Sequence, residues 1–268
     1  RLLSLSSLYR GYLDSFYSAN KDLKGKLYSD HLKLLCNDSV DFGPSYVKTF
    51  EKAGIAAECI ILNDRILQNK WLRENCSGRV SGKDMLLLQV QRFRPDILWL
   101  EDIRLIDFNW LRDIKQKVKS IRLLVAYHGA PCNSEIEKKL HEADLVFTCT
   151  PGLKQHFTDL GIKSELVYHG FDTDILSKID SGYIIPSCDV LFTGSLQTGA
   201  GYHNERIDLL ERLLSLGVDL SIYANAESSM KIRAKQLIHF LYKTLTESGF
   251  KNPEQFWKVL EYGRAPVR

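Results

Sequence analysis

The chain has 268 residues, 44% of them hydrophobic, which is enough for one large or two medium domains with real cores. Its 36 basic and 33 acidic residues leave a net charge of +3, so the charge balance indicates no nucleic acid or other strongly polyanionic partner. No apolar run reaches the roughly 20 residues that cross a bilayer, and the opening segment lacks the features of a secretory signal. Six scattered cysteines without a CxxC pair indicate reduced thiols in a cytoplasmic protein and no zinc site.

Short apolar strands alternate with helices along the first two thirds of the chain. Strands are predicted at 1–7, 56–62, 96–100, 121–126, 145–149 and 165–168. Helices are predicted at 46–53, 64–74, 85–93, 108–118, 134–141 and 151–160. The aromatic-rich segment 8–46 is helical in places, and its rings are expected to pack onto the sheet. The alternative is that some of them line a sugar-sized cleft. This alternation predicts an α/β fold with a parallel, doubly wound sheet.

A second α/β unit of the same Rossmann-like kind is predicted in the last third of the chain. Its predicted elements are strands at 189–193 and 219–223 and helices at 206–216 and 230–245. The predicted domains are therefore 1–183 and 184–268. Two strands do not make an α/β domain, so the second domain is expected to continue beyond Arg268.

Candidate site residues follow the predicted strands, because ligands of open α/β sheets meet the carboxyl ends of the strands. The segments at these ends are Tyr9-Arg10-Gly11, Glu101-Asp102, His128-Gly129, Thr150-Pro151, His169-Gly170 and Gly194-Ser195. Asp102, His128 and His169 are the candidate catalytic bases toward a hydroxyl nucleophile. For each residue alone, the alternative is an ordinary capping or loop hydrogen bond.

The glycine-rich loop from Gly194 to His203 is a candidate phosphate site. Glycines let the backbone approach a phosphate closely, and the following helix N-terminus supplies N–H donors. Arg206 in the first turn of that helix could add a bidentate contact. The loop is not a P-loop, because no Lys-Ser/Thr pair follows the glycines. An ordinary glycine turn is the alternative.

Two further patterns are interpreted as structural. Asp172-Thr173-Asp174 has the DxD form that some transferases use for a metal, but Asp172 or Thr173 is predicted to cap a helix at 175–179, and no metal is expected. The basic residues Lys115, Lys117, Lys119 and Arg122 are predicted to form a solvated helix face. A weak peripheral contact with anionic lipid headgroups is the alternative.

Several segments, in their order and spacing, resemble glycosyltransferases with two Rossmann-like domains (the GT-B fold). Within that group the chain is similar to spore-maturation and polysaccharide-biosynthesis proteins. The segments are SSLYRGYLDSFY, FGPSYVKTFEKAG, ECIILNDRILQNKWLREN, FRPDILWLED, YHGAP, LVFTCTPGLKQHFTDLGIKSELVYHGFD and DVLFTGSLQTGAGYHNERIDLLERL. The resemblance covers nearly the whole chain.

The resemblance implies transfer of a sugar from a nucleotide-diphosphate sugar to a hydroxyl of a glycan or glycoconjugate. It implies no metal or other cofactor, and retention of configuration. The acceptor side would include Tyr9, Arg10 and Gly11. The donor side would include Gly170 and Asp172 at the domain junction, with Gly194, Ser195 and Arg206 near the diphosphate.

One departure from the family concerns the donor site. The family's glutamate-bearing nucleotide segment has no counterpart before Arg268, so this chain alone is expected to bind donor weakly. Two other functions remain open. One is a nucleotide-sugar epimerase of the same fold, and the other is a sugar-nucleotide or polysaccharide-binding module without activity.

Overall fold

The computed structural model describes residues 1–39, 41–178, 187–194 and 204–224. The chain divides into two compact units, Arg1–Asp180 and Ser181–Arg268. The predicted boundary between residues 183 and 184 and the predicted helix at 230–245 lie outside the described residues, as does most of the glycine-rich loop, 195–203. They stay predictions.

The first unit is built around one six-stranded sheet in which every neighbouring pair of strands is parallel. The strand order is β2-β1-β3-β4-β5-β6. The strands are β1 (Leu2–Ser6), β2 (Ala57–Ile61), β3 (Ile97–Leu100), β4 (Leu123–Tyr127), β5 (Leu145–Thr148) and β6 (Ser164–Leu166). The prediction of an α/β fold with a parallel sheet is confirmed.

Eight α-helices of the described residues connect these strands. They are α1 (Arg10–Ala19), α2 (Tyr28–Asp38), α3 (Phe42–Lys52), α4 (Arg65–Asn75), α5 (Gly82–Phe93), α6 (Phe108–Lys117), α7 (Ser134–Leu140) and α8 (Pro151–Asp159). Local sequence explains their ends: Asp64 accepts two backbone N–H bonds at the start of α4, and Pro151 follows the capping Thr150 at the start of α8. Gly54 follows α3 with φ +79°, a conformation that glycine adopts without strain. None of the described helices is long and apolar enough to cross a membrane.

Helices cover both faces of the sheet, and each face has its own core. Alternate residues of a strand point to opposite faces, so Leu98 and Leu100 of β3 pack beneath helices α5–α8. On the other face, Cys59 and Ile61 of β2 pack against helices α1–α4. Two helical layers around a central sheet make the fold doubly wound.

Helix α3 approaches β1 unusually closely. A Cβ atom placed on Gly43 would lie 2.1 Å from Ser6 Oγ and 2.6 Å from Ser6 Cβ. The Ser6 side chain is buried and its hydroxyl lies 2.9 Å from the hydroxyl of Ser4, so it has no room to withdraw. Only glycine fits at position 43.

The strand order reverses between β1 and β3. From β1 the chain first moves outward to β2 and then returns to place β3 on the other side of β1. Such a reversal opens a crevice at the carboxyl ends of the two central strands, which is where open α/β sheets bind ligands. The residues that follow β1 and β3 therefore occupy the favoured position for a site.

The described residues of the second unit form one βαβ motif. Strand β7 (Val190–Gly194) pairs in parallel with β8 (Leu220–Ala224), and helix α9 (Asn204–Ser215) connects them. The predicted strands at 189–193 and 219–223 and the predicted helix at 206–216 are confirmed within one or two residues at each end.

Two predicted elements differ from the structure around residue 170. The strand predicted at 165–168 spans Ser164–Leu166, because its neighbour β5 ends at Thr148 and offers no backbone partner to Tyr168, which is 69% exposed. In place of the α-helix predicted at 175–179, residues Thr173–Lys178 form a 3₁₀ helix. Its first turn closes through an i→i+3 bond from the Ile175 N–H to the Asp172 carbonyl.

Candidate active site

The carboxyl ends of the central strands bring together residues that are far apart in the sequence. Ser7 Oγ donates a hydrogen bond of 2.7 Å to Asp102 Oδ2 across the point where the strand order reverses. Arg104 Nε and Nη2 donate to the two oxygens of the same carboxylate, at 2.7 and 2.9 Å. Asp102 is 7% exposed, and the Asp102–Arg104 pair is a bidentate ion pair of the strong kind.

These contacts decide the ionisation of Asp102. Burial alone would raise the pKa of this carboxyl, but the hydrogen bonds from Arg104 and Ser7 outweigh it and hold the pKa below its ordinary value. With the backbone N–H of Arg104, which also donates to Oδ1, the Asp102 carboxylate accepts four hydrogen bonds and is therefore a weak base. The predicted site residue Asp102 is therefore placed to orient Arg104, whose side chain is 68% exposed, toward a ligand.

His128 follows β4 and lies near the same pair. Its ring is buried, and burial together with the nearby positive charge of Arg104 lowers the pKa of His128, which favours a neutral imidazole. The backbone N–H of His128 donates to the Phe147 carbonyl at 2.9 Å, which continues the sheet. The Nε2 atom of His128 is buried and has no hydrogen-bond partner among the described residues, so its hydrogen-bonding capacity is unsatisfied.

The side chain of Glu101 points to the opposite face of the sheet from that of the next residue, Asp102, because successive side chains of an extended strand alternate between the two faces. Its Oε2 accepts a hydrogen bond of 2.7 Å from the indole Nε1 of Trp99, two residues back on the same side. Burial, with smaller contributions from the charges of Asp41 and Asp102, raises the pKa of Glu101 to about 7, although the Trp99 bond opposes the shift. At neutral pH this carboxyl exchanges its proton readily.

Half-buried aromatic rings surround Glu101. The rings of Tyr46 and Trp99 meet edge to face with centroids 5.5 Å apart, and Trp99 lies 5.6 Å from Phe147 on β5. Tyr127 of β4 lies close enough for the Glu101 charge to raise the tyrosine's pKa further. We call Tyr46, Trp99, Glu101, Tyr127 and Phe147 the Glu101 cluster.

His169 joins this cluster through Tyr127. The Tyr127 Oη and His169 Nε2 atoms lie 2.9 Å apart, and the donor depends on the imidazole tautomer. Burial, followed by a hydrogen bond with Cys149, raises the pKa of Tyr127 and keeps it a neutral phenol. A Cβ on Gly129 would lie 2.8 Å from Tyr127 Oη and 3.0 Å from Cys149 Sγ, so a side chain at position 129 would disturb this arrangement.

The segment after His169 is attached to α3. Ser45 Oγ donates to Asp172 Oδ2 at 2.7 Å, and the Ser45 bond holds the pKa of Asp172 below its ordinary value. Asp172 Oδ1 accepts the N–H of Asp174, as predicted for a cap. Lys52 Nζ bonds both oxygens of Asp174. Both carboxylates of the DxD pattern are thus occupied by the protein.

Other predicted residues lie at exposed positions. Tyr9, Arg10 and Gly11 follow β1 as predicted, with Tyr9 80% exposed and the other two opening α1. Gly170 is exposed, and a Cβ there would meet no atom within 4 Å. The hydrogen bonds and charge of Asp102 raise the pKa of Arg104, and a smaller contribution from Tyr9 indicates that Tyr9 lies near this pair.

The predicted diphosphate residues belong to the second unit. Gly194 ends β7 and pairs with Ala224, and Arg206 lies exposed in the first turn of α9. Ser195 lies outside the described residues. Within the described ranges, no three His, Cys, Asp or Glu side chains are grouped to hold a metal ion. All six cysteines are free.

Sequence reasoning placed both Glu101 and Asp102 at a strand end but chose Asp102 as the candidate catalytic residue. The signal was present in the strand alternation: Glu101 shares a side with Trp99, whereas Asp102 faces the end of β1. Ser7, Arg104 and Tyr127 were missed because only the strand order brings them to the site. No protein-family model and no curated protein sequence matches the chain.

Proposed function

We propose that the chain belongs to an enzyme that transfers a sugar from a nucleotide-diphosphate sugar to a hydroxyl acceptor. The observation that carries the proposal is Glu101, a carboxyl with a pKa of about 7 among aromatic rings at the ligand-binding end of a doubly wound sheet. The resemblance noted in the sequence supplies the substrate class. The acceptor is a glycan or glycoconjugate, and the proposed compartment is the cytoplasm, with at most peripheral membrane contact.

In this proposal, Glu101 takes the proton from the acceptor hydroxyl. A general base works best when its pKa is near the working pH, because the base form is then abundant and still basic enough. Asp102, whose pKa is lowered by Arg104 and Ser7, is less basic. Its proposed task is to hold Arg104.

The aromatic rings of the Glu101 cluster serve the acceptor sugar. Half-buried ring faces of Tyr46, Trp99 and Phe147 offer apolar area on which the C–H groups of a sugar can stack. The Tyr127–His169 pair adds hydrogen-bonding groups beside them. Apolar walls with few convergent polar groups are typical of small-molecule sites.

The leaving diphosphate needs positive potential, which the second unit can supply without a metal. A helix N-terminus such as that of α9 offers backbone N–H donors and the positive end of the helix dipole. Arg206 in the first turn adds a full positive charge. Stabilising developing charge in this way is the largest contribution to catalysis in many enzymes.

The stereochemistry of the product tests the role of Glu101. Direct displacement by a base-activated acceptor inverts the anomeric configuration, whereas the resemblance implies retention. An inverted product supports proton removal by Glu101. A retained product excludes this single displacement and leaves Glu101 with the base role only in the second step of a double displacement.

The function is tested on the full-length protein with a panel of uridine, guanosine and thymidine diphosphate sugars. His169→Ala and Arg206→Ala are each expected to lower turnover strongly, with about a 10²- to 10³-fold loss for Arg206. Arg212→Ala, in the last turn of the same helix, is the matched control and should leave turnover unchanged. Near-normal turnover in both test variants would overturn the site assignment.

Two experimental outcomes would each indicate a function other than sugar transfer. Release of free nucleotide that needs no acceptor, with a changed free sugar as product, would indicate an epimerase. Nucleotide-sugar binding without turnover in the full-length protein would indicate a binding module.

A further inference from the structure

Two cysteine thiols face each other in the first unit, at the edge strand β2. Cys36 lies in α2 and Cys59 in β2, and their Sγ atoms are 3.2 Å apart. A disulfide bond is about 2.05 Å long, so the sulfur atoms need to approach by only about 1.2 Å. The two residues are 23 positions apart in the chain and belong to different elements.

A groove gives access to these thiols. Its volume is about 750 Å³, and it is lined by residues of the edge strand β2 and of helices α2, α3, α4 and α5. Both Cys36 and Cys59 line it, with Leu32, Val47 and Trp71 as apolar neighbours. Cys59 is 1% exposed, whereas Cys36 is only half-buried, so a reagent in the groove meets Cys36 first.

The charges of the groove suit a small zwitterion. Lys33, Lys48 and Arg92 line it together with Glu51, Glu58 and Glu74. Each glutathionyl half of oxidised glutathione carries two carboxylates and one ammonium group, and the groove has side chains of the opposite sign for both kinds of group. The volume falls within the range of about 300–1,000 Å³ that is usual for small-molecule sites.

We propose that Cys36 and Cys59 form a thiol–disulfide exchange site that accepts a small disulfide of the glutathione class from this groove. This inference does not depend on the proposed sugar transfer. It assigns a modification site to the edge of the sheet that lies away from the carboxyl ends of β3 and β4.

The reaction proceeds in two exchanges. The Cys36 thiolate attacks one sulfur of the small disulfide, forming a mixed disulfide and releasing one thiol as its thiolate, which takes up the proton lost by Cys36. The Cys59 thiolate then attacks Cys36 Sγ, forming the internal disulfide and releasing the second thiol. The protein loses two protons and two electrons, and the small disulfide gains them.

The order of attack follows from the surroundings of the two thiols. The hydrogen bond with Cys36 and burial raise the pKa of Cys59, so Cys59 reacts second, within the mixed disulfide. The internal disulfide would tie α2 to β2 and restrict the unfolded chain. For a loop of this length, the melting temperature is expected to rise by roughly 5–10 °C.

Mass spectrometry of the native chain incubated with oxidised glutathione tests the proposal. The expected product is lighter by two hydrogen atoms, carries no glutathione, yields one cross-linked peptide containing Cys36 and Cys59, and reverts with dithiothreitol. Cys59→Ala should retain one glutathione on Cys36, and Cys36→Ser should leave Cys59 unmodified. Cys132→Ser is the matched control and should form the internal disulfide like the wild type.

Three results would overturn the proposal. They are a stable glutathione adduct on Cys36 of the wild-type chain, a cross-link that maps to other cysteines in place of Cys36 and Cys59, and no reaction at Cys36. Melting curves in reducing buffer establish that each variant is folded. If Cys59→Ala fails to fold, the wild-type peptide map and Cys36→Ser still decide the question.

Discussion

Replacing Glu101 by glutamine should make the protein more stable at high pH. The amide has nearly the same shape as the carboxyl, and its oxygen can still accept the bond from the Trp99 indole. It cannot ionise. The substitution therefore removes the cost of holding a buried negative charge, together with the proton that Glu101 exchanges near neutral pH.

The magnitude follows from the pKa, which the fold raises from 4.5 to about 7. Between these two values the folded protein binds more protons than the unfolded chain, so the stability of the wild type falls as the pH rises. Relative to the wild type, the glutamine variant should gain about 0.8 kcal/mol at about pH 5 and about 3.3 kcal/mol at about pH 8. The increment of about 2.5 kcal/mol is the quantity to measure.

Urea denaturation of both proteins at the two pH values gives this increment directly. Glu165→Gln is the matched control. Glu165 lies next to Phe147 of the Glu101 cluster on the neighbouring strand, but its carboxylate is exposed to solvent. Its carboxylate bonds Lys154 at the surface, and such pairs contribute little to stability. If the free energy of unfolding that the Glu101 variant gains over the wild type does not increase between the two pH values, the argument that ionised Glu101 destabilises the fold is refuted.

Two further substitutions test the packing and the polar contacts that support the site. Gly43→Ala should destabilise the protein by about 1–3 kcal/mol, because the new Cβ would overlap Ser6. Gly152→Ala is the control, because the space around Gly152 is open, and it should be neutral or slightly stabilising. Equal melting temperatures of the two variants in thermal denaturation would contradict this prediction. Asp102→Asn should cost about 1–3 kcal/mol at neutral pH through its weakened bonds to Arg104. Since the pKa of Asp102 is lowered, the stability difference between the wild type and this variant should persist above about pH 4 and shrink as the pH falls further. A stability difference that does not depend on pH would contradict the argument that the charge of Asp102 stabilises the fold.

Much of the fold was predictable because its signals are local. Apolar strand segments, capping residues such as Asp64 and Thr150, and the Gly54 terminator act within a few residues of their own positions. The α/β class and the positions of most elements therefore followed from the sequence. The strand predicted at 165–168 was too long, because the end of a strand depends on the length of its neighbour, which is not a local property.

The candidate site was predictable only in outline. The sequence showed that polar residues follow the strands, and Asp102, His128 and His169 do lie at strand ends. It did not show which of them meet. Ser7 and Asp102 touch across 95 positions of sequence, and Tyr127 and His169 across 42, because the strand order brings the ends of their strands together.

By itself, the sequence determined the alternation of strands and helices, since hydrophobic periodicity and helix caps are properties of neighbouring residues. Only the tertiary structure decided the chemistry of the side chains. Glu101 and Asp102 are adjacent carboxyls, yet burial among aromatic rings raises the pKa of one, and bonds from Arg104 and Ser7 lower that of the other. Cys36 and Cys59 became a pair in the same way, because helix α2 packs its thiol against the edge strand. Burial and proximity arise from the packing of distant segments, and no stretch of sequence contains them.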